Sequence, residues 1–232
     1  MNAEPFCRIA RGYTAYSLSI PAANAIEVDD PEGLRFIGRE DLNLLVWRRG
    51  RDAARLSALS KDTPDSQDLL GDTTSIHLRA QSLVHDTQTF VASLYDTRSE
   101  ATDALEGEVF GLAALLLSLS GAPAIRPRFE RVTHDGCRLF HTDKLTLRLL
   151  CTYAGAGTQW LPDAEVDRSA LGRGSNAAVC ADPGKIRAVR RGDVALLKGE
   201  AWPGNAGRGI VHRSPPARPG TGRLLLTLDL AL

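Results

Sequence analysis

The chain has 232 residues, of which 43% are hydrophobic and 24% charged, with 28 Lys+Arg against 28 Asp+Glu. Such a composition is that of an ordinary globular protein with material for one large domain or two small ones. Zero net charge argues against a nucleic-acid partner, which shows as a basic excess.

Taken in chain order, the opening MNAEPFCRIARGY has no basic stretch followed by an apolar core, so no signal peptide is expected. Leu42 to Trp47 is a short apolar strand candidate ended by Arg48, Arg49 and Gly50. Arg51 to Leu59, rich in Ala, Arg and Leu, reads as helix, and the polar loop KDTPDSQDLLGDTTS follows it. From Leu78 to Tyr95, Leu83, Val84, Val91, Leu94 and Tyr95 recur at helical spacing. The next helix is capped by Ser99 and stopped by Gly121, with Pro123 beyond. It becomes apolar all round towards its end, which predicts burial. Its apolar run, Val109 to Leu119, is too short to cross a bilayer, and no membrane partner is expected.

After Pro123 the character changes. AIRPRFERVT, CRLFHTD and LTLRLLCTY are strand-like, with His134-Asp135-Gly136 as a hairpin turn between the first two. AGAGTQWLPD is a Gly-rich loop, and RSALGRGSNAAVCADPGKI is loop-like. Val194 to Lys198 follows a Gly-Asp turn as a strand, GIVHRSPP is a short strand stopped by two prolines, and RLLLTLDLAL is the last strand. Many short strands with turn signals predict a sandwich or barrel. The expected fold class is α+β: a mainly helical N-terminal region, 1–123, packed on a C-terminal β-barrel or jelly roll, 124–232. The four cysteines, Cys7, Cys137, Cys151 and Cys180, form no CxxC pair, which points to reduced thiols and a cytoplasmic protein.

One stretch carries chemistry. Within CRLFHTDKLTLRLLCTY, His141 and Asp143 stand at i and i+2, which on a strand places both on one face. A carboxylate inside an apolar sheet is costly unless it is paired, hydrogen-bonded or bound to a metal. Taken singly, the pair could brace a hairpin, and His212, before two prolines, could be a strand-end residue. Together, two His and one carboxylate form the set that non-haem Fe(II) oxygenases use, holding the metal on one face and leaving the other open. The same ligands suit zinc with an open fourth position. Arg223, eleven residues after His212, could clamp a carboxylate through two parallel hydrogen bonds. Arg213 and Arg218 compete for that role, although Arg213 would face away from His212 on a regular strand. Trp160 and Trp202 either line a pocket mouth or cover the core. Lys198 and Asn205, with Asp163, Glu165 and Glu200, share those loops as substrate contacts or as solvated residues. His77 and His85 have no ligands near them in sequence and read as structural.

The order of these parts, HxD on a strand, LRLLCTY, a Gly-containing loop, Gly-Asp with an apolar strand, His and then Arg, resembles the 2-oxoglutarate/Fe(II)-dependent oxygenases, particularly their prolyl-hydroxylase-like branch. That resemblance covers about residues 137–230. It implies a double-stranded β-helix, with His141, Asp143 and His212 holding Fe(II) and serving catalysis. It also implies Arg223 on the far carboxylate of 2-oxoglutarate, with Tyr153 or Arg148 as a second cosubstrate contact. FHTDKLTLRLLCTYAGAGTQWLPD, GDVALLKGEAWPGN and VHRSPP are similar to a bacterial family of unassigned function, DUF1826, over most of the chain. The alternative this leaves is a non-redox, cupin-like zinc-binding protein linked to metal homeostasis. The substrate, small molecule or protein, and the oligomeric state are not legible in the sequence.

Overall fold

Along the last strand Leu224, Leu226 and Leu228 alternate with Leu225, Thr227 and Asp229, and the three even-numbered leucines are completely buried. This period of two divides the protein into a helix-covered side and a polar, cavity-forming side. The structure, a computed structural model, describes residues 7–9, 24–49, 75–133, 137–216 and 222–231.

Eleven strands are described: β1 (Cys7–Ile9), β2 (Ala25–Val28), β3 (Leu44–Trp47), β4 (Leu78–Arg79), β5 (Ala124–Val132), β6 (Leu147–Ala154), β7 (Gln159–Trp160), β8 (Arg187–Ala188), β9 (Val194–Lys198), β10 (His212–Arg213) and β11 (Arg223–Leu230). Eight of them form one mixed sheet in the order β1-β2-β3-β9-β6-β11-β5-β4, and the other three form a small sheet ordered β10-β7-β8. At the centre β11 pairs antiparallel with β5, from Arg223 opposite Val132 to Leu230 opposite Ile125, and with β6 on its other edge.

Two helices, α1 (Leu83–Leu94) and α2 (Glu100–Ser120), cover one face. Ser99 caps α2 through a reciprocal pair with Thr102, and Gly121 ends it at φ 65°, a backbone conformation that suits glycine. Phe90, Leu105 and Leu116 from the helices pack on Phe129, Leu149, Leu226 and Leu228 from the sheet to form the main core. A smaller core, including Trp160, Val189 and Ile210, fills the space between the two sheets. No helix among the described residues is long and apolar enough to cross a membrane.

Both helices, with the Ser99 cap and the Gly121 stop, and the strands β3, β5, β6, β9 and β11 lie where the residue patterns put them. Three features differ. Residues 137–143 do not form a hairpin strand with β5, one edge of which pairs with β11 from Ile125 to Val132; the segment makes only an isolated bridge, His141 to His212. The Gly-rich and loop-like stretches contain β7 and a one-turn helix, α3 (Asn176–Val179). Finally, β2 and β3 precede residue 123 yet continue the same sheet beyond β9, so the sheet crosses the expected division. An unpaired β9 edge would expose backbone donors and acceptors, and β3 satisfies them. The helix expected at Arg51–Leu59, most of the loop at 61–75, the 134–136 turn and Arg218 lie outside the described residues.

The cap makes a clean test of the helical layer. Ser99→Ala is expected to lower stability by about 1 kcal/mol, read by urea denaturation, while leaving divalent-metal affinity unchanged.

Candidate metal centre

His141 and His212 are bridged backbone to backbone, each N–H donating to the other's carbonyl at 3.0 Å. Their rings lie side by side with centroids 4.6 Å apart. Each Nδ1 faces a carbonyl oxygen: Leu139 at 2.9 Å from His141, and Ile210 at 3.1 Å from His212. A carbonyl only accepts, so each Nδ1 carries the hydrogen and each Nε2 keeps its lone pair. Those two nitrogens converge on one carboxylate. His141 Nε2 is 3.9 Å from Asp143 Oδ1, and His212 Nε2 is 3.5 Å from Asp143 Oδ2. Burial pushes His212 down to about 4, against the pull of Asp143, so its ring is neutral at pH 7. The ligand atoms of the three residues all lie within 4.8 Å of one another. Two imidazole Nε2 atoms and a carboxylate converge on one point. This arrangement fits a divalent cation, and the donor set suits Fe(II) as well as zinc.

Asp143 is not on a strand. Its carbonyl accepts from the Glu200 N–H at 2.8 Å, while Gly199 donates to Thr146 and Ala201 to Leu145. A Cβ at Gly199 would stand 2.0 Å from the Leu145 carbonyl oxygen and 2.8 Å from that of Asp143. Glycine is therefore what lets the turn after β9 come close enough to hold the Asp143 loop. The carboxylate itself is held by Arg148, whose Nη1 donates to Asp143 Oδ2 at 2.8 Å. Arg148 also grips Asp229 with two bonds, Nε to Oδ1 at 2.6 Å and Nη2 to Oδ2 at 2.8 Å. Asp229 and Arg148 are register partners on β11 and β6, so the sheet fixes the arginine that fixes the ligand.

At the far end of the same face lies Arg223, 7% exposed. Its Nη2 donates to Thr158 Oγ1 at 2.8 Å and Thr152 Oγ1 at 3.1 Å, and its Nη1 reaches Ser214 Oγ at 3.5 Å. It has no carboxylate partner among the described residues, and burial lowers it to about 10. Arg223, the three candidate ligands, Arg148 and Thr227 all line one cavity of about 370 Å³.

Other expected site residues lie elsewhere. Tyr153 is on the opposite face of β6 from Arg148, because positions 148 and 153 differ in parity. It is buried in the helix-side core, donates to Glu108 Oε1 at 2.9 Å, and does not line the cavity. Trp160 is buried between the sheets, and Trp202 packs on the helix-side core. Lys198 is 1% exposed, donates to the Arg39 carbonyl at 2.7 Å and lies 4.7 Å from the Trp202 ring centre. Asn205 donates to the Gly199 carbonyl at 3.0 Å. None of these four lines the cavity; each is spent on backbone or core. Arg213, expected to face away from His212, lines the same cavity, with its Nε donating to Gln159 and its guanidinium over the Phe140 ring. The residues that sequence reading missed are Thr152, Thr158 and Ser214 around Arg223, together with Thr227, Asp229 and Arg128. A signal for two of them was present, since counting by twos from Arg223 along RLLLTLDLAL reaches Thr227 and Asp229.

A family model described as "Protein of unknown function (DUF1826)" matches residues 28–229, and the chain belongs to that family. A search of the curated proteins returned no match. Among solved structures, the chain is similar to a dioxygenase for auxin oxidation from Arabidopsis thaliana, in a binary complex with 2-oxoglutarate. The identity is 11%, the match covers 89% of this chain and 91% of that one, and the TM-score is 0.53. A dioxygenase for auxin oxidation from rice matches at 16% identity, over 89% of this chain and 82% of that one, with a TM-score of 0.50. At these identities the likeness is one of fold.

Two outcomes follow from this geometry. Arg148→Gln frees Asp143 from its holder and is expected to weaken divalent-metal binding by about 10–100-fold, measured by titration of metal-free protein; unchanged affinity would show that Arg148 does not orient the carboxylate. The second concerns Lys198, which burial pushes down to about 8 from an ordinary 10.5. Between those values the unfolded chain keeps a proton that the folded chain has released, so stability rises with pH across that window. Lys198→Met is expected to stabilise the protein at pH 7 by roughly 1–3 kcal/mol and to flatten the rise, as read by urea denaturation at pH 7 and pH 10.

Proposed function

We propose that this member of the DUF1826 family is an Fe(II)- and 2-oxoglutarate-dependent oxygenase of the hydroxylase type. In this reading the large and small sheets are the two layers of a double-stranded β-helix. His141, Asp143 and His212 hold the metal, and Arg223 takes the far carboxylate of 2-oxoglutarate. The observation that carries it is Arg223: a buried guanidinium cradled by hydroxyls, with no anion of its own among the described residues, in the same cavity as the His–Asp–His set. A buried charge of that kind is costly unless something pairs with it, and a dicarboxylic cosubstrate supplies the missing anion.

Fe(II) bound there would couple the oxidative decarboxylation of 2-oxoglutarate by O2 to hydroxylation of a substrate C–H bond. The chain's own residues do the rest. Three protein ligands on one side leave the other side of the metal open. Arg148 donates to Asp143 Oδ2 and so fixes the carboxylate that would hold the metal. Thr152 and Thr158 hold the Arg223 fork in place before the cosubstrate arrives, which reduces the entropy lost on binding. Leu150 and Leu225 give the cavity an apolar wall that limits water around the reacting centre. The free thiols of Cys137, Cys151 and Cys180 fit a reducing, cytoplasmic setting. A zinc-binding protein without redox chemistry would use the same three ligands, but it gives Arg223 nothing to do.

Under anaerobic conditions, Fe(II) followed by 2-oxoglutarate is expected to give a weak visible charge-transfer band in the wild-type protein. Asp143→Ala is expected to abolish the band, and Arg223→Gln to raise the 2-oxoglutarate concentration it requires by more than tenfold, in line with losing a buried charge pair. Tight Zn²⁺ binding through the same residues, with no response to 2-oxoglutarate, would sink the oxygenase reading and leave the zinc protein.

A further inference from the structure

The polar face of the sheet carries an alternating chain of charges: Asp143, Arg148, Asp229, Arg128. The first three are mutually satisfied, since Arg148 serves Asp143 with one nitrogen and Asp229 with two, all within 2.8 Å. Arg128 ends the chain and is not. Its one side-chain bond among the described residues is Nη2 to Asp229 Oδ2 at 3.2 Å, the longest in the chain, to an oxygen that Arg148 already holds at 2.8 Å. Its Nε is buried without a hydrogen-bond partner among the described residues. Arg128 sits on β5 opposite Thr227 of β11, its side chain is 34% exposed, and it lines the cavity that holds the candidate metal ligands. Thr227 is 5% exposed, and its hydroxyl likewise has no partner.

The charges can be counted. Asp143, Asp229 and Glu130 offset three of the four arginines at the cavity, Arg128, Arg148, Arg213 and Arg223. A divalent cation and dianionic 2-oxoglutarate offset each other. One positive charge on the cavity wall then remains; Arg213 is engaged by Gln159 and the Phe140 ring, whereas the Nε of Arg128 has no hydrogen-bond partner among the described residues. Resting on the oxygenase reading above, we propose that the substrate is a small molecule bearing a carboxylate, which Arg128 binds beside Thr227. A carboxylate matches the flat guanidinium fork. A phosphate dianion matches it less well here, because Glu130 lies two residues along the same face of β5 and Asp229 stands behind Arg128, and both repel a second negative charge. The cavity volume, at the lower end of the range for small-molecule sites, holds 2-oxoglutarate and one compact partner.

The test uses the full chain loaded with Mn²⁺, a redox-inert paramagnetic stand-in for Fe(II), with and without saturating 2-oxoglutarate. Fluorine NMR follows 4-fluorobenzoate, 4-fluorophenylacetate and 4,4,4-trifluorobutyrate, each beside its uncharged primary amide. At least one carboxylate is expected to bind more tightly than its amide and to be broadened by the nearby metal. Arg128→Gln is expected to weaken it by at least tenfold, with 2-oxoglutarate affinity unchanged. Arg128→Lys, which keeps the charge but loses the fork, is expected to fall between. Carboxylates that bind no better than amides to the wild-type protein, or equally well to both variants, would overturn the proposal without any need for a variant to fold perfectly. Failure of 2-oxoglutarate itself to bind would instead overturn the oxygenase reading, while the carboxylate comparison remains readable in the sample that holds only metal.

Discussion

The candidate site depends on one side chain, Arg148, held between two carboxylates. Asp229 anchors it from the neighbouring strand with two bonds, and its remaining nitrogen holds Asp143. Burial works against its charge, and the two aspartates together more than reverse that effect, so it stays firmly protonated. Removing one member of a buried set like this leaves a charge without compensation, at about 3–5 kcal/mol. The rigidity of the β6–β11 ladder is thereby passed to a carboxylate that is itself on a loop. The two imidazoles are set by a different device, the mutual backbone bridge and the carbonyls behind each Nδ1. Strand register positions Asp143 through Arg148; backbone hydrogen bonds position His141 and His212.

The sheet keeps its charges apart by parity. On the cavity side stand Arg128, Arg148, Arg223, Asp143 and Asp229. On the helix side a second buried polar cluster joins Arg49, Glu108, Tyr153 and Cys151. There Arg49 pairs with Glu108, Tyr153 donates to the same carboxylate, and burial pushes the Cys151 thiol up to about 12, where it is an inert neutral group. That cluster ties α2 to the sheet and to Arg49, two residues past the end of β3, and none of its residues lines the cavity. Neighbouring positions on β6, Cys151 and Thr152, therefore do unrelated work: one stitches layers together, the other cradles Arg223.

Much of this was legible in the residue patterns. Ser99 and Gly121 mark the ends of α2 because capping and left-handed termination are local chemistry, complete within a few residues. RLLLTLDLAL and LTLRLLCTY show their strands through composition. Residue type and order alone single out the candidate ligands His141, Asp143 and His212, with Arg223. What failed was inference about neighbours. Tyr153 and Arg148 are equivalent by sequence neighbourhood, yet their parity on β6 puts them on opposite faces. Lys198, Asn205, Trp160 and Trp202 were grouped with the site because they share its loops, whereas their hydrogen bonds and packing lie with backbone and core.

Sequence alone determined which residues have the chemistry to hold a cation and an anion, and where most helices and strands begin and end, because those properties belong to side-chain type and to short-range periodicity. Only the tertiary structure decided that residues 137–143 pair with the His212 strand and not with β5, that β2 and β3 complete the sheet across the expected division, and that Asp229 and Arg128 join the site from strands far apart in the chain. The physical reason is that strand partners are chosen by competition for backbone edges and by burial of whole faces. That competition sums contributions from residues a hundred positions apart, and no local stretch records its outcome.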